Sequence, residues 1–512
     1  MSQSLRTINS SHIAFGVACG LLLFAISWFG LLSLFRSELM IWQHPAIQLD
    51  EQNLQPLSPD VLIQRAREQG FLFNEFRLEL ARGEDRFAQI LAQDENKRLH
   101  ERFLDVHTGK ILQAPEQSIA DYFWQWHTDL LLPKPWGRYL VGLLGVALFY
   151  LLIVGIFGQR KFGRSYLTWR RDKSKRLWFS DGHRFFGAWL APFQLLMGFS
   201  GALLGLAGLL LGLIALVAFD GDRHKATAAL FGEEPVLQQQ KAPMAPLAPM
   251  FEQFEQIWPG SKIERVEYHG YGDAGGQVHI RGTWLARWAA MQEMHFDAVT
   301  GEHLRQTDFT ELGSGGYLYS LAVTLHLVRF YQPIVKIFYA LLTFGLLALM
   351  LFGVLLALDK RRSGEFSWHW LRCSYWLCLA MPSASAVLLL DAQLAQLWAR
   401  AVSAPGPLFW LSLSFAILAL MWTRSHRQAL QRAAGMLAIL LAASAALSLS
   451  QGVADPIVLA VDIGLLLLAL FSAGIYWRMR RVLATTPSPS FLSLISLPAF
   501  FTKPKTQQKE IP

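Results

Sequence analysis

Eight long apolar runs set the terms on which this chain can fold: 13–35, 138–158, 188–219, 334–358, 373–398, 408–423, 434–450 and 457–477. Crossing the hydrocarbon of a bilayer takes about 20 apolar residues in one helix, because backbone groups out of reach of water must satisfy one another. The runs at 408–423 and 434–450 are the short ones. Hydrophobic residues make up 53% of 512, more than a single soluble core of this size needs. The expected fold is therefore an α-helical polytopic membrane protein of about eight spans. The first run is too long for a secretory signal and lacks a small-residue cleavage pattern. Residues 1–35 are accordingly read as an uncleaved first membrane helix.

Basic residues give the expected orientation, since short cytoplasmic loops retain Lys and Arg. The loop 159–187 carries Arg160, Lys161, Arg164, Arg170, Arg171, Lys173, Lys175, Arg176 and Arg184. Lys360, Arg361 and Arg362, then Arg424, Arg427 and Arg432, then Arg478, Arg480 and Arg481 repeat the sign at later inner ends. Among the short loops expected outside, 392–407 holds only Arg400 and 451–456 holds no basic residue. Both termini are expected in the cytoplasm. The net charge of +8 then reads as a topology signal for a lipid-embedded chain, and nucleic acid is not an expected partner. Cys19, Cys373 and Cys378 lack the spacing of a redox or zinc motif and are read as packing residues.

Two segments between spans are long enough to fold by themselves, 36–137 and 220–333. In the first, Ser58-Pro59-Asp60 opens a helix through Glu68. Alternating strands follow at Phe76–Leu80 and Arg102–Val106. The second has prolines at 243, 246 and 249, a helix around Phe251–Ile257, and strands at Ile263–Tyr268 and Val278–Gly282. Asp105-Val106-His107-Thr108-Gly109 and Asp297-Ala298-Val299-Thr300-Gly301 match at Asp, Thr and Gly. Two small α+β domains are expected, each followed by a helix at the membrane edge. The first of these helices, 118–132, bears the interfacial aromatics Tyr122, Phe123, Trp124 and Trp126. Membrane spans at 138–158 and 334–358 come next, so that 12–160 and 183–360 read as internal repeats. Residues 359–482 add a bundle of about four further spans, and the polar tail 483–512 is expected to be disordered. Asp391, Asp455 and Asp462 fall near or inside those spans; ionisable groups there are functional candidates by default, although placement at the interface is the preferred reading.

Four histidines occupy matched positions in the repeats. His12 and His183 open the motifs His12-Ile13-Ala14-Phe15-Gly16 and His183-Arg184-Phe185-Phe186-Gly187. His127 and His326 precede Pro133 and Pro333 by six and seven residues, and precede Gly155 and Gly353 by 28 and 27. By the expected topology His12 and His183 lie at the inner face and His127 and His326 at the outer one, each pair drawing one residue from each repeat. A pseudo-twofold axis along the membrane normal would set the members of each pair across one site. Imidazole pairs ligate haem iron for electron transfer, with no coordination position left open; zinc and copper also take imidazole. The lack of nearby Cys or clustered carboxylates, with Gly16 and Gly20 leaving room beside His12, favours haem. The remaining histidines, including His44, His107, His269, His279, His295 and His303, are read as solvated.

The duplicated His-x-x-x-Gly helix start, the strand ending Asp-x-x-Thr-Gly, and the histidine ahead of a Gly-punctuated span resemble the PepSY-associated transmembrane family over residues 10–360. That family is similar to bacterial iron-regulated inner-membrane proteins, some of them ferric-siderophore reductases with b-type haems. The resemblance implies two small periplasmic PepSY-like domains, an inner-membrane location and two haems b. Its axial ligands would be His12 with His183 (inner haem iron) and His127 with His326 (outer haem iron). The Pro-Lys-Pro after Leu132 and the helices beyond 361 depart from the minimal motif.

No Gly-x-Gly-x-x-Gly nucleotide fingerprint occurs, so an external cytoplasmic or quinol donor is required. The implied acceptor is periplasmic ferric iron, siderophore-bound or delivered by a carrier, with Trp124, Trp126, Trp284 and Trp288 as candidate docking residues or core packing. Two rival readings are a non-enzymatic periplasmic binding or regulatory protein and a metal permease using the same histidines.

Overall fold

The computed structural model describes residues 3–484, apart from 45–54, 81–85, 95, 97, 113–117, 159–169, 171–173, 234, 285, 287–289, 310, 331, 362–364, 424 and 454. Arg160, Lys161, Arg164, Arg171, Lys173, Arg362, Arg424, Trp288 and most of the tail lie outside the described residues. The first half of the chain runs α1 (Gln3–Ser33), α2 (Arg36–Gln43), α3 (Pro59–Glu68), β1 (Phe76–Glu79), β2 (Phe87–Gln93), β3 (Leu99–Asp105), β4 (Ile111–Leu112), α4 (Ile119–Asp129) and α5 (Trp136–Phe157). The second runs α6 (Lys175–Trp189), α7 (Ala191–Gly205), α8 (Ala207–Ala218), α9 (Arg223–Phe231), α10 (Leu247–Ile257), β5 (Ser261–His269), β6 (Gln277–Trp284), β7 (Ala290–Asp297), β8 (His303–Asp308), α11 (Gly313–Leu327) and α12 (Pro333–Asp359). Then come α13 (Phe366–Leu397), α14 (Pro405–Met421), α15 (His426–Ser450) and α16 (Pro456–Ala484).

Six of these helices, α1, α5, α12, α13, α15 and α16, are long and apolar enough to cross a membrane. The run expected as one span over 188–219 is instead broken. It begins earlier, in α6, bends by 67° into α7, and breaks again before α8. Pro192 in the first turn of α7 has no N–H for the preceding turn, which is where a continuous helix fails. The pair α6–α7 counts as a seventh span if its arms are taken together. α14, with 17 residues, falls short of the others.

The two long segments between spans, expected as two separate domains, share one sheet. Its strand order is β4-β3-β2-β1-β5-β6-β7-β8, and the seam is an antiparallel pairing of β1 with β5, with Leu78 opposite Val266. Each half supplies a helix to one face of this sheet. α3 and α10 bury Leu62, Ile63, Met250 and Phe254 against Leu78, Ile90, Val266 and Ile280. Ser58 caps α3, and the Asp60 carboxylate accepts the Leu247 N–H at the start of α10 at 3.1 Å, tying the two halves together.

The matched turns are built alike. Oδ1 of Asp105 accepts from the N–H of His107 and Thr108, and Oδ1 of Asp297 accepts from Val299 and Thr300. Gly109 and Gly301 follow at φ 69° and 74°, the left-handed region where a glycine carries no Cβ penalty.

On its other face the sheet differs between halves. Phe87 and Phe103 join a cluster with Phe29, Trp42, Phe123 and Phe409 of the helical layer. The corresponding face of β6 and β7 is polar, with His279, Arg281, Glu293 and His295. The expectation that His295 is solvated fails here, since it is 3% exposed beside Glu293 at 5%, whereas His279 is half-buried.

The three acidic residues of the last helices are all partnered. Asp462 accepts from Trp42 Nε1 at 2.8 Å and Ser448 Oγ at 2.9 Å. Asp391 pairs with Arg400 and accepts the Ser403 N–H. Asp455 pairs with Arg86 of the first half and accepts the Ile457 N–H at the start of α16. The Asp462 and Asp455 bonds dock α2 and the start of β2 onto the C-terminal helices. The three cysteines are free.

Candidate functional site: two histidine pairs

The structure brings the four histidines together in the expected pairs. His12 near the start of α1 and His183 in α6 have ring centroids 6.1 Å apart with planes at 71°. His127 at the end of α4 and His326 at the end of α11 have centroids 6.0 Å apart with planes at 25°. Each of the two carrier helices α4 and α11 stops just after its histidine in a left-handed residue, Leu130 at φ 52° and Val328 at φ 53°. A β-branched residue rarely adopts that conformation, so the surrounding contacts hold the turn after His326 in place.

All four rings are oriented in one way, through Nδ1. His12 Nδ1 donates to the Leu151 carbonyl at 3.1 Å, His183 Nδ1 to Leu349 at 3.0 Å, and His127 Nδ1 to Ile26 at 2.9 Å. A carbonyl only accepts, so the proton sits on Nδ1 and the lone pair on Nε2. His326 reaches the same tautomer through Ser200. The Ser200 hydroxyl donates to the Leu196 carbonyl at 2.6 Å and accepts from His326 Nδ1 at 2.7 Å. Among the described residues no hydrogen bond reaches Nε2 of any of the four. Fixing Nδ1–H on an acceptor while Nε2 stays open is how proteins prepare imidazole for a metal.

Helix backbone approaches each ring where a glycine stands. A Cβ at Gly30 would lie 2.8 Å from the His127 ring, at Gly155 3.3 Å from His12, at Gly353 3.2 Å from His183, and at Gly201 3.5 Å from His326. Gly155 and Gly353 stand out in sequence by their spacing. Gly30 and Gly201 do not, although each follows the first histidine of its half by 18 residues; that shared interval was the available signal. Ser200, next to Gly201, carried none. A Cβ at Gly20 would meet nothing within 4 Å and one at Gly16 only Leu151, so room remains along this face of α1.

These observations fit a metal held between two imidazoles. Two metal–nitrogen bonds of about 2 Å each, plus a ring radius at either end, span centroid separations of this size. α1 is unbroken from His12 to Gly30, the residue against which His127 packs. Eighteen residues of helix at about 1.5 Å rise put the two pairs roughly 27 Å apart along its axis, close to the thickness of a hydrocarbon core.

The tryptophans divide differently. Trp126 stacks on Phe29 at 4.8 Å, Trp124 lies under the Arg36 guanidinium, and Trp284 Nε1 donates to the Pro259 carbonyl. Trp126 is a packing residue.

Comparison with known proteins agrees with this architecture. A family described as "PepSY-associated TM region" matches residues 10–360, the stretch that carries all four histidines and the whole sheet. The uncharacterized protein PA4219 of Pseudomonas aeruginosa is 28% identical over 309 residues, 57% of this chain and 78% of that one. With the family pattern covering most of its length and spanning helices in its fold, the chain is a multi-pass membrane protein belonging to the PepSY-associated TM region family.

Proposed function

We propose that this is an inner-membrane electron-transfer protein that carries two b-type haems, His12 with His183 and His127 with His326, and reduces ferric iron on its outer side. The observation that carries the reading is the pairing itself: two imidazole pairs about 6 Å between centroids, each with Nδ1 satisfied, one near either end of α1. Bound there, haem would supply reversible one-electron chemistry. The protein's part is to aim Nε2, through the carbonyls of Leu151, Leu349 and Ile26 and the hydroxyl of Ser200, and to keep helix backbone against the rings at the four glycines. Each ferric ion takes one electron. A quinol or a cytoplasmic reductant provides it, a quinol giving two electrons and releasing two protons. In this reading the joint sheet is periplasmic and the acceptor is siderophore-bound iron.

The purified protein is expected to show a Soret band that shifts on dithionite reduction. His12→Ala and His127→Ala should each remove about half of the bound haem, and different halves by their spectra. Absence of a Soret band sinks the haem assignment, and loss of the same centre in both variants sinks the pairing. Failure of the reduced protein to reoxidise anaerobically on adding a ferric siderophore would leave electron transfer but remove this acceptor.

A further inference from the structure

The duplicated sheet breaks its own symmetry at one place. The pairing register is the same in both halves: Phe87, Gln89 and Leu91 of β2 stand opposite Asp105, Phe103 and Glu101 of β3, as Gln277, His279 and Arg281 of β6 stand opposite Asp297, His295 and Glu293 of β7. Aligned by the matched Asp turns, Gln89 and Phe103 correspond to His279 and His295, while Glu101 corresponds to Glu293. In the first half this face packs on the helical layer through Phe87 and Phe103. In the second it turns polar and opens beside a cavity of about 720 Å³ lined by Lys225, Gln277, His295 and Arg305, with Phe219 and Gly232 among its other walls.

Three possible donors lie close together there. One ligand atom each from His279, Glu293 and His295 lie within 4.8 Å of one another. The imidazoles of His279 and His295 stack at 3.7 Å with planes 13° apart, His279 Nε2 lies 3.3 Å from Gln277 Oε1, and His295 Nε2 and Glu293 Oε1 are 3.0 Å apart; ligation of one ion by both rings turns the half-buried His279 about its side chain. Glu293 Oε2 is the acceptor for Arg281 Nε at 2.7 Å, which leaves Oε1 turned to the histidines. His269 on β5 stands next in the row, 4.5 Å from His279 between centroids.

We infer that His279, His295 and Glu293 form a binding site for a divalent first-row transition-metal ion on the outer sheet, reached through the adjoining cavity. Two imidazoles and one carboxylate are a donor set for iron, cobalt or zinc and a poor one for magnesium or calcium. The ion takes the position now bridged by the His295–Glu293 hydrogen bond, and Arg281 holds the far oxygen of the carboxylate, as an outer partner of a ligand does. This site is separate from the four membrane histidines and stands whether or not they carry haem. It does lie near them in the chain path: the Met291 N–H on β7 donates to Ser320 Oγ on α11, six residues before His326.

The test is equilibrium dialysis of the metal-stripped, full-length protein in detergent against Zn²⁺, with metal content per chain as the readout. The His279→Gln, His295→Gln double variant should hold one zinc fewer than the parent, with unchanged circular dichroism and visible spectrum. Glu293→Gln should weaken that zinc at least tenfold, and zinc should raise the thermal midpoint of the parent but not of the double variant. Should the double variant fail to fold, His279→Asn alone, at the half-buried end of the cluster, should still lower the affinity tenfold or more. Equal zinc content and affinity in a folded variant would overturn the site.

Discussion

At the scale of single residues, the hydrogen Gly30 carries in place of a Cβ decides where His127 sits. Gly30→Ala would put a methyl 2.8 Å from that ring, inside any real contact distance. On the proposed haem reading, the pair His127–His326 should therefore lose its haem while His12–His183 keeps its own, read as loss of about half the Soret absorbance. Gly201→Ala makes the informative contrast: its 3.5 Å approach to His326 is ordinary contact, and the spectrum should hardly change. Ser200→Ala leaves His326 Nδ1 without its acceptor. Outer partners of metal-bound histidines are typically worth ten- to a hundredfold in affinity, so haem retention in a titration with a competing apoprotein should drop by about that factor, at the outer site alone. The four histidines are legible in sequence because duplication repeats their spacing and their motifs. The glycines against them are much harder to read, since only a folded backbone reveals which of the chain's 39 glycines meets a ring.

At the scale of elements, the seam between β1 and β5 couples segments that the sequence presents as two. Leu78, fully buried on β1, packs on both halves of the sheet's helix-covered face. Leu78→Ala should cost about 2–5 kcal/mol and lower the stability of the entire sheet layer in one step, as followed by hydrogen exchange on β2 and β6 alike; two independent domains would leave β6 protected. A second expectation concerns the buried pair of Arg86 and Asp455. Removing the cation in Arg86→Met takes the ion-pair partner from a carboxylate that is 2% exposed in its side chain, and losses of about 3–5 kcal/mol follow such breaks. The C-terminal helices should then detach more readily, seen as faster proteolysis near the start of α16.

Strand pairing across the seam was out of reach of pattern reading, because local alternation says nothing about a partner some 190 residues away. β2 escaped for a different reason. Six of its seven residues are buried, both faces being covered, so the two-residue alternation that marks a half-exposed strand is missing. The broken third span is a milder case, in which an apolar run spoke for one helix while Pro192 imposed a bend.

At the scale of the whole molecule, two halves of the membrane layer, one sheet and a C-terminal bundle form a frame in which neither histidine pair belongs to one half alone. Expressed by itself, the stretch up to residue 170 supplies His12 and His127 but neither partner, and should purify without a Soret band; co-expression with the remainder should restore it. The seam adds a consequence for how the protein is made. Arg77 on β1 waits for Glu267 on β5, about 190 residues later, which at 5–20 residues per second is roughly ten to forty seconds of synthesis. Throughout that interval β1 presents a bare edge, the kind of surface that invites mispairing with other chains. Completion of the sheet is thus gated by arrival of the second half.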